Sequence, residues 1–350
     1  MNIESDLSQA GSIFPPVIFG TSCLGNIYEA TDYTTKKSIV AACIENANGI
    51  AMFDTAGKYG AGLALESLGK SLRDLKVDPE SVLISNKLGW YQTALTTPEP
   101  TFEKGIWKDL KNDAIQKISY AGILECFEQG NELLNGYSSQ MVSVHDPDEY
   151  LAKAKNKQEE ELLYQDILDA YKALIELKIS GKVLGVGVGS KQWRVVERIA
   201  KDVDLDWVMI ANSLTLHDHP KELLEFIEGL HKKNITVINS AVFNGGFLIG
   251  SDYYNYQPVD KTSLEGKRKY EWRDKFHKIC KEFDVTPAEA CVNFGLNIPG
   301  VTSIALSTSK SYKVKPNLQM VAKEIPLFFW ETLLNEGLIK VKPDFNNASI

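Results

Sequence analysis

Eight short apolar runs alternate along this chain with longer stretches of helical periodicity, and no other feature constrains the fold as much. The runs cover residues 17–22, 50–54, 81–87, 140–145, 182–189, 207–211, 236–240 and 302–306. Each is apolar along its length, as expected of a strand buried on both faces. Between them, residues 35–48, 63–75, 112–134, 160–177, 192–200, 221–233, 271–283, 287–297 and 311–322 read as helices. Eight strand–helix units predict an α/β fold, a (β/α)8 TIM barrel. The 350 residues exceed the roughly 250 of a typical barrel. The surplus falls at 91–111, 146–159 and 243–270 and in the tail after Pro326. The first three of these long connections follow strands 3, 4 and 7. They therefore belong to the C-terminal face, where barrel active sites lie. One domain over residues 1–350 is expected, with a barrel core of about residues 15 to 325.

The rival architecture is a doubly wound dinucleotide-binding sheet. Its best support is Gly185-Val-Gly187-Val-Gly189-Ser190, with Asp204 and Asp206 about 20 residues on. However, serine stands at the third glycine position, and the glycines lie inside the strand pattern. They read better as small residues that let a barrel strand pack closely.

Composition narrows the function. Thirty-eight basic residues against 46 acidic ones leave a net charge of −8. That is a poor basis for a nucleic-acid partner or an anionic membrane surface. No apolar run approaches the roughly 18 residues of a membrane span, and the first residues lack the basic start and apolar core of a signal peptide. The five cysteines (Cys23, Cys43, Cys126, Cys280 and Cys291) form neither a CxxC pair nor a Cys/His cluster. No disulfide framework and no metal site are expected, and a reducing cytoplasmic setting fits.

The ends of strands 2, 3 and 4 carry the chemistry: Asp54, Lys87 and His145. Neighbouring strands lie about 4.8 Å apart, so three polar groups ending successive strands converge at one edge of the barrel mouth. Tyr59 follows in the short glycine-bracketed loop Gly57-Lys58-Tyr59-Gly60. Singly, a strand-end aspartate is as often a loop cap, a lysine is usually solvated, and a loop tyrosine is usually packing. Together they make one coherent site. A phenol titrates near pH 10, and an adjacent ammonium favours its phenolate. Asp54 can hold Lys87 charged, His145 can orient a substrate oxygen, and Tyr59 can act as general acid or base on a carbonyl/alcohol pair. None of the four carries electrons, so redox chemistry here needs a diffusible hydride carrier.

The segments FGTSCLGN, FDTAGKYGAG, LISNKLGW and VSVHDPDEY, in this order and spacing, resemble the aldo-keto reductase superfamily. HDPDEY, GVGSKQW and AVFNGGFLIGSDYYNY resemble its sugar-dehydrogenase branch, which includes L-fucose (D-threo-aldose) and L-galactose dehydrogenases and pyridoxal 4-dehydrogenase. The resemblance implies the catalytic tetrad Asp54, Tyr59, Lys87 and His145. It also implies a nicotinamide site at Gly20, Thr21, Ser22, Gly189 and Ser190, and a pyrophosphate loop at Phe243, Asn244, Gly245 and Gly246. An adenosine end is implied at Ser307, Lys310, Lys313 and Asn317. The cofactor implied is NADP or NAD, with the two lysines leaning towards NADP. Trp90 and Asp146 are candidate substrate contacts, and the tyrosines of Tyr253-Tyr254-Asn255-Tyr256 are weaker ones.

The chain departs from the family pattern at Ala64-Leu65, at Lys191 in place of an asparagine, and at Leu306-Ser307 in place of a Pro-Gly-type turn. The last two put cofactor preference in question. The implied function is an NAD(P)-dependent aldose 1-dehydrogenase acting on a small-molecule sugar or carbonyl substrate, as a monomer or small homo-oligomer. The alternatives are a general aldehyde/ketone reductase of the same family, a Schiff-base lysine aldolase and a non-catalytic cofactor-binding barrel.

Overall fold

A computed structural model describes residues 13–255 and 257–345. In chain order the elements are β1 (Val17–Gly20), α1 (Tyr33–Asn46), β2 (Ala51–Ala56), α2 (Leu63–Asp74), β3 (Val82–Leu88), β4 (Trp90–Ala94), β5 (Asn112–Gln116) and α3 (Tyr120–Leu134). Then come β6 (Met141–His145), α4 (Pro147–Leu151), α5 (Lys157–Ile179), β7 (Gly185–Ser190), α6 (Trp193–Asp202), β8 (Trp207–Ala211), α7 (Lys221–Lys232) and β9 (Thr236–Ser240). The last are β10 (Tyr253–Tyr254), β11 (Gln257–Pro258), α8 (Leu264–Glu282), α9 (Pro287–Leu296), β12 (Ser303–Leu306), α10 (Val314–Val321) and α11 (Leu327–Asn335). Eight parallel strands close into a barrel in the order β1-β12-β9-β8-β7-β6-β3-β2. The expected (β/α)8 barrel is the observed fold.

Strand alternation builds the barrel interior in layers. Residues two apart share a face, so Met52 and Asp54, then Leu83, Ser85 and Lys87, then Met141, Ser143 and His145 point the same way. Met52, Leu83 and Met141 pack with Ile18, Trp207 and Ile238 into one buried cluster. Above that apolar floor the same strands present their polar residues. The Gly185–Gly189 run lies inside β7, as its position in the strand pattern implied. A Cβ on Gly187 would come within 2.2 Å of the Trp207 ring, and one on Gly189 within 3.1 Å of the Lys87 side chain. These glycines make room for side chains of the barrel interior.

The helices begin where side chains cap them. Asp32 accepts from the Thr35 amide at 2.8 Å, and Thr286 with Glu289 forms a reciprocal capping box on α9. Such caps are worth about 1 kcal/mol each. Helix α5 buries Tyr164, Ile167, Tyr171, Leu174 and Leu177 at helical spacing. The Tyr171 hydroxyl donates to the carbonyl of Gly187 at 3.1 Å, tying the helix to β7.

Two expectations change. Residues 112–134 are not one helix: Asn112–Gln116 is a strand paired antiparallel with Trp90–Ala94, and the helix starts after Ser119, which caps the amide of Gly122 at 3.1 Å. The connection after β3 is therefore a hairpin standing outside the eight-strand ring. The tail after Pro326 also contains α11, with Phe329, Trp330 and Leu333 buried. Among the described residues, no helix is long and apolar enough to cross a membrane.

Candidate active site

The strand register dictates the site. Asp54 pairs with Ser85 and Ala56 with Lys87 across β2–β3, and Lys87 pairs with Ser143 across β3–β6. Lys87 and Asp54 share an inner face, and Lys87 Nζ donates to Asp54 Oδ2 at 2.5 Å. Both are buried. Burial pushes the Asp54 carboxyl up, and the Lys87 ammonium opposes that shift. The Asp54 carbonyl is fixed separately, by the amide and hydroxyl of Thr21, each at 3.0 Å. Thr21 is thus buried behind the site, while its neighbours Gly20 and Ser22 border the cavity.

Tyr59 reaches the same spot because its loop lies close against the chain beyond β1. A Cβ on Gly25 would sit 2.7 Å from the Tyr59 carbonyl carbon, and one on Gly60 would sit 2.2 Å from the Gly25 oxygen. Gly60 also has a φ of +62°, which glycine adopts at little cost. Lys87 Nζ lies 4.8 Å from the centroid of the Tyr59 ring. The His145 ring meets Tyr59 edge-on at 5.5 Å, and Trp107 flanks it at 5.9 Å. His145 is buried, with Nδ1 unpartnered among the described residues and Nε2 3.5 Å from Asp146 Oδ2. Burial, then the ammonium groups of Lys87, Lys58 and Lys191, hold His145 well below its ordinary value. It is therefore a neutral imidazole at physiological pH.

Asp54, Tyr59, Lys87 and His145 border a single cavity of ≈ 540 Å³. Gly20, Ser22, Gly189, Ser190, Phe243, Ser307 and Asp146 border it too. The Ser190 hydroxyl donates to Asp148 at 2.8 Å. Asn244 lies buried just behind; its amide donates to the Asn212 carbonyl and to Asn255, and its Oδ1 has no partner among the described residues. Asn244, Gly245 and Gly246 have φ of 47°, 70° and 93°, a left-handed run that glycine eases. A second crevice, bordered by Thr308 and Asn317, shares Gly20, Leu306 and Ser307 with the main cavity. The two cavities adjoin at these residues, and the smaller one reaches Val314 at the start of α10, just after exposed Lys310 and Lys313. That path, from buried acid–base groups to a basic helix start, fits an extended dinucleotide.

Trp90 is placed differently from the other candidates. Its ring packs on Phe102 at 5.4 Å with Lys58 Nζ 5.5 Å away, and it is not among the residues bordering the cavity. Trp107 borders the cavity instead. Of the tyrosine loop, Tyr254 bonds His217 Nδ1 at 2.9 Å, Tyr253 is exposed, and Tyr256 lies outside the described residues. Sequence reasoning missed Lys58, Glu103, Trp107 and Glu149 as cavity residues. Lys58 and Glu149 sit inside recognisable motifs, but nothing local marks Glu103 or Trp107.

Residues 16–333 match the model of the aldo/keto reductase family. The chain belongs to that family. It is therefore an NAD(P)-dependent oxidoreductase.

Among its relatives, a pyridoxal 4-dehydrogenase from Microbacterium luteolum is 25% identical over 347 residues, 95% of this chain and 97% of that one. A D-threo-aldose 1-dehydrogenase from a Pseudomonas species is 25% identical over 346 residues, 96% and 98% of the two chains. An aldo-keto reductase from Bacillus halodurans in its holo form superposes with a TM-score of 0.66 at 19% identity, over 94% of each chain. A glycerol dehydrogenase from Gluconobacter oxydans gives 0.67 at 17%, over 97% of each. These last two likenesses show that this reductase shares their fold.

Proposed function

We propose that this reductase is an aldose 1-dehydrogenase that oxidises a small neutral sugar at its anomeric carbon, with Tyr59 as the acid–base residue. The observation that carries the proposal is one cavity holding Tyr59 against both the Lys87–Asp54 pair and a neutral His145. The full-length similarity to a D-threo-aldose 1-dehydrogenase supports a sugar as the substrate class.

Each residue has a separable task. Lys87 places a positive charge beside the phenol and so favours the phenolate. Asp54 holds that ammonium in place. In oxidation the Tyr59 oxygen accepts the proton of the anomeric hydroxyl, and in reduction it returns a proton to the carbonyl oxygen. The neutral ring of His145 can donate an N–H to the same substrate oxygen and fix its position. A nicotinamide nucleotide, when bound, takes or supplies the hydride. Gly20, Ser22, Gly189 and Ser190 would hold its nicotinamide end and Phe243 to Gly245 its centre. Ser307, Lys310, Lys313 and Asn317 would hold its adenosine end. Two lysines beside the start of α10 favour a phosphorylated adenosine, because a helix N-terminus and positive charge both attract phosphate.

The geometry weighs against a Schiff-base aldolase. Lys87 is buried and already committed to Asp54, so its amine has no free lone pair. The deciding experiment is a panel of aldoses, including L-fucose, L-galactose and D-arabinose, assayed with NADP and with NAD. Turnover of an aldose to its lactone, faster with NADP, is expected. Reduction of simple aldehydes with no aldose oxidised would make the protein a general aldehyde reductase instead.

A further inference from the structure

Lys58 directly precedes Tyr59 and is only 2% exposed. A lysine ammonium has three donors and no acceptor. Three carboxylates surround it: Glu103 Oε1 at 2.7 Å, Glu149 Oε2 at 2.7 Å and Asp146 Oδ2 at 3.1 Å. Burial works to discharge Lys58, but the three carboxylates outweigh it and hold the ammonium above its ordinary value. Glu103 comes from the β4–β5 excursion, while Asp146 stands at the N-cap of α4 and Glu149 in its first turn. Lys191, just beyond β7, closes the ring: it donates to Glu149 Oε1 and lies 3.6 Å from Asp146 Oδ2. All five residues border the cavity that holds Tyr59 and His145.

Three carboxylates against two ammonium groups leave this ring one negative charge in excess. The Asp54–Lys87 pair cancels and His145 is neutral, so nothing else in the tetrad offsets it. All three Lys58 donors have partners, which leaves none for an incoming anion. The carboxylates retain lone pairs that can accept from substrate hydroxyls. A substrate bearing its own anion would meet like charge in a partly desolvated pocket, and such repulsion is an effective source of selectivity.

We propose that Lys58 is a specificity-determining residue. It gathers Glu103, Asp146 and Glu149 into a negative collar. The collar admits uncharged, hydroxyl-bearing aldehydes and hemiacetals and turns away the same skeletons carrying a carboxylate or phosphate. The proposal rests on the oxidoreductase reading of this cavity.

The test compares three four-carbon aldehydes that are alike at the reacting end: butanal, 4-hydroxybutanal and succinic semialdehyde. Each is reduced by the full-length protein with NADPH and with NADH, at low and at high salt. 4-Hydroxybutanal should give the highest kcat/KM. The semialdehyde should fall at least tenfold below it, about 1.4 kcal/mol, and the gap should narrow as salt screens the collar. Glu103→Gln removes one charge but keeps an oxygen for Lys58, and should narrow the gap by roughly threefold. Equal turnover of the semialdehyde and 4-hydroxybutanal overturns the proposal alone, as does a gap unmoved by Glu103→Gln. Oxidation of an aldose with no turnover of these three aldehydes overturns this proposal alone; no turnover of any aldehyde or any aldose with either nucleotide overturns the oxidoreductase reading and this proposal with it.

Discussion

Lys87 stands 4.8 Å from the centroid of the Tyr59 ring, on a barrel strand whose neighbour supplies its counter-ion, Asp54. The phenol therefore works beside a fixed positive charge. Replacing Lys87 by methionine should lower kcat by roughly 10²–10⁴-fold. It should also move the alkaline rise of the oxidation rate to higher pH, because the phenolate loses its ammonium. The swap strands a buried carboxylate, which is costly to fold. The double variant Asp54→Asn/Lys87→Met should melt higher than the single one and stay as slow. A double variant whose pH profile matches the wild type would refute this role.

Tyr59→Phe should remove nearly all turnover, again roughly 10²–10⁴-fold, while nicotinamide binding measured by fluorescence quenching stays intact. Activity retained within a few-fold would mean that another group moves the proton.

Stability should fall as pH drops below 6.5. Burial lowers His217 to about 4, and it also lowers His145 and His219. In this window the unfolded chain binds protons that the folded protein does not, so acid favours unfolding. Each such histidine contributes a slope of at most roughly 1.4 kcal/mol per pH unit. Urea unfolding from pH 7 down to 5 should show it, and His217→Gln should flatten the dependence by about one histidine's share. A pH-independent midpoint over that range would contradict the burial argument.

Gly187→Ala should destabilise the barrel by roughly 1–3 kcal/mol, because the new methyl meets the buried Trp207 ring at 2.2 Å. Adding Trp207→Leu should recover part of the loss. Thermal melts of the two variants decide the matter, and a neutral Gly187→Ala would show that the ring has room to move.

The barrel was legible because each strand is apolar over its whole length, a signal that needs no partner to be seen. Asp54, Lys87 and His145 were legible for a related reason: they are the first titratable side chains after those apolar floors. The hairpin Trp90–Ala94 with Asn112–Gln116 was not. Asn112 to Gln116 runs on into a helical pattern, and only a pairing partner about 20 residues upstream and the Ser119 cap reveal the break. The collar was harder still, since Lys58 meets Glu103, Asp146 and Glu149 across separations of 45, 88 and 91 residues. Charge pairs at such distances leave no periodicity behind.

Glu103 lies on an excursion that the eight-strand ring does not need in order to close. One of the three collar carboxylates is thus carried on a stretch of chain separate from the strands and turns that hold Tyr59, Lys87 and His145. A lineage could exchange residues 95–111 for another sequence and change its diet while inheriting the same chemistry unaltered.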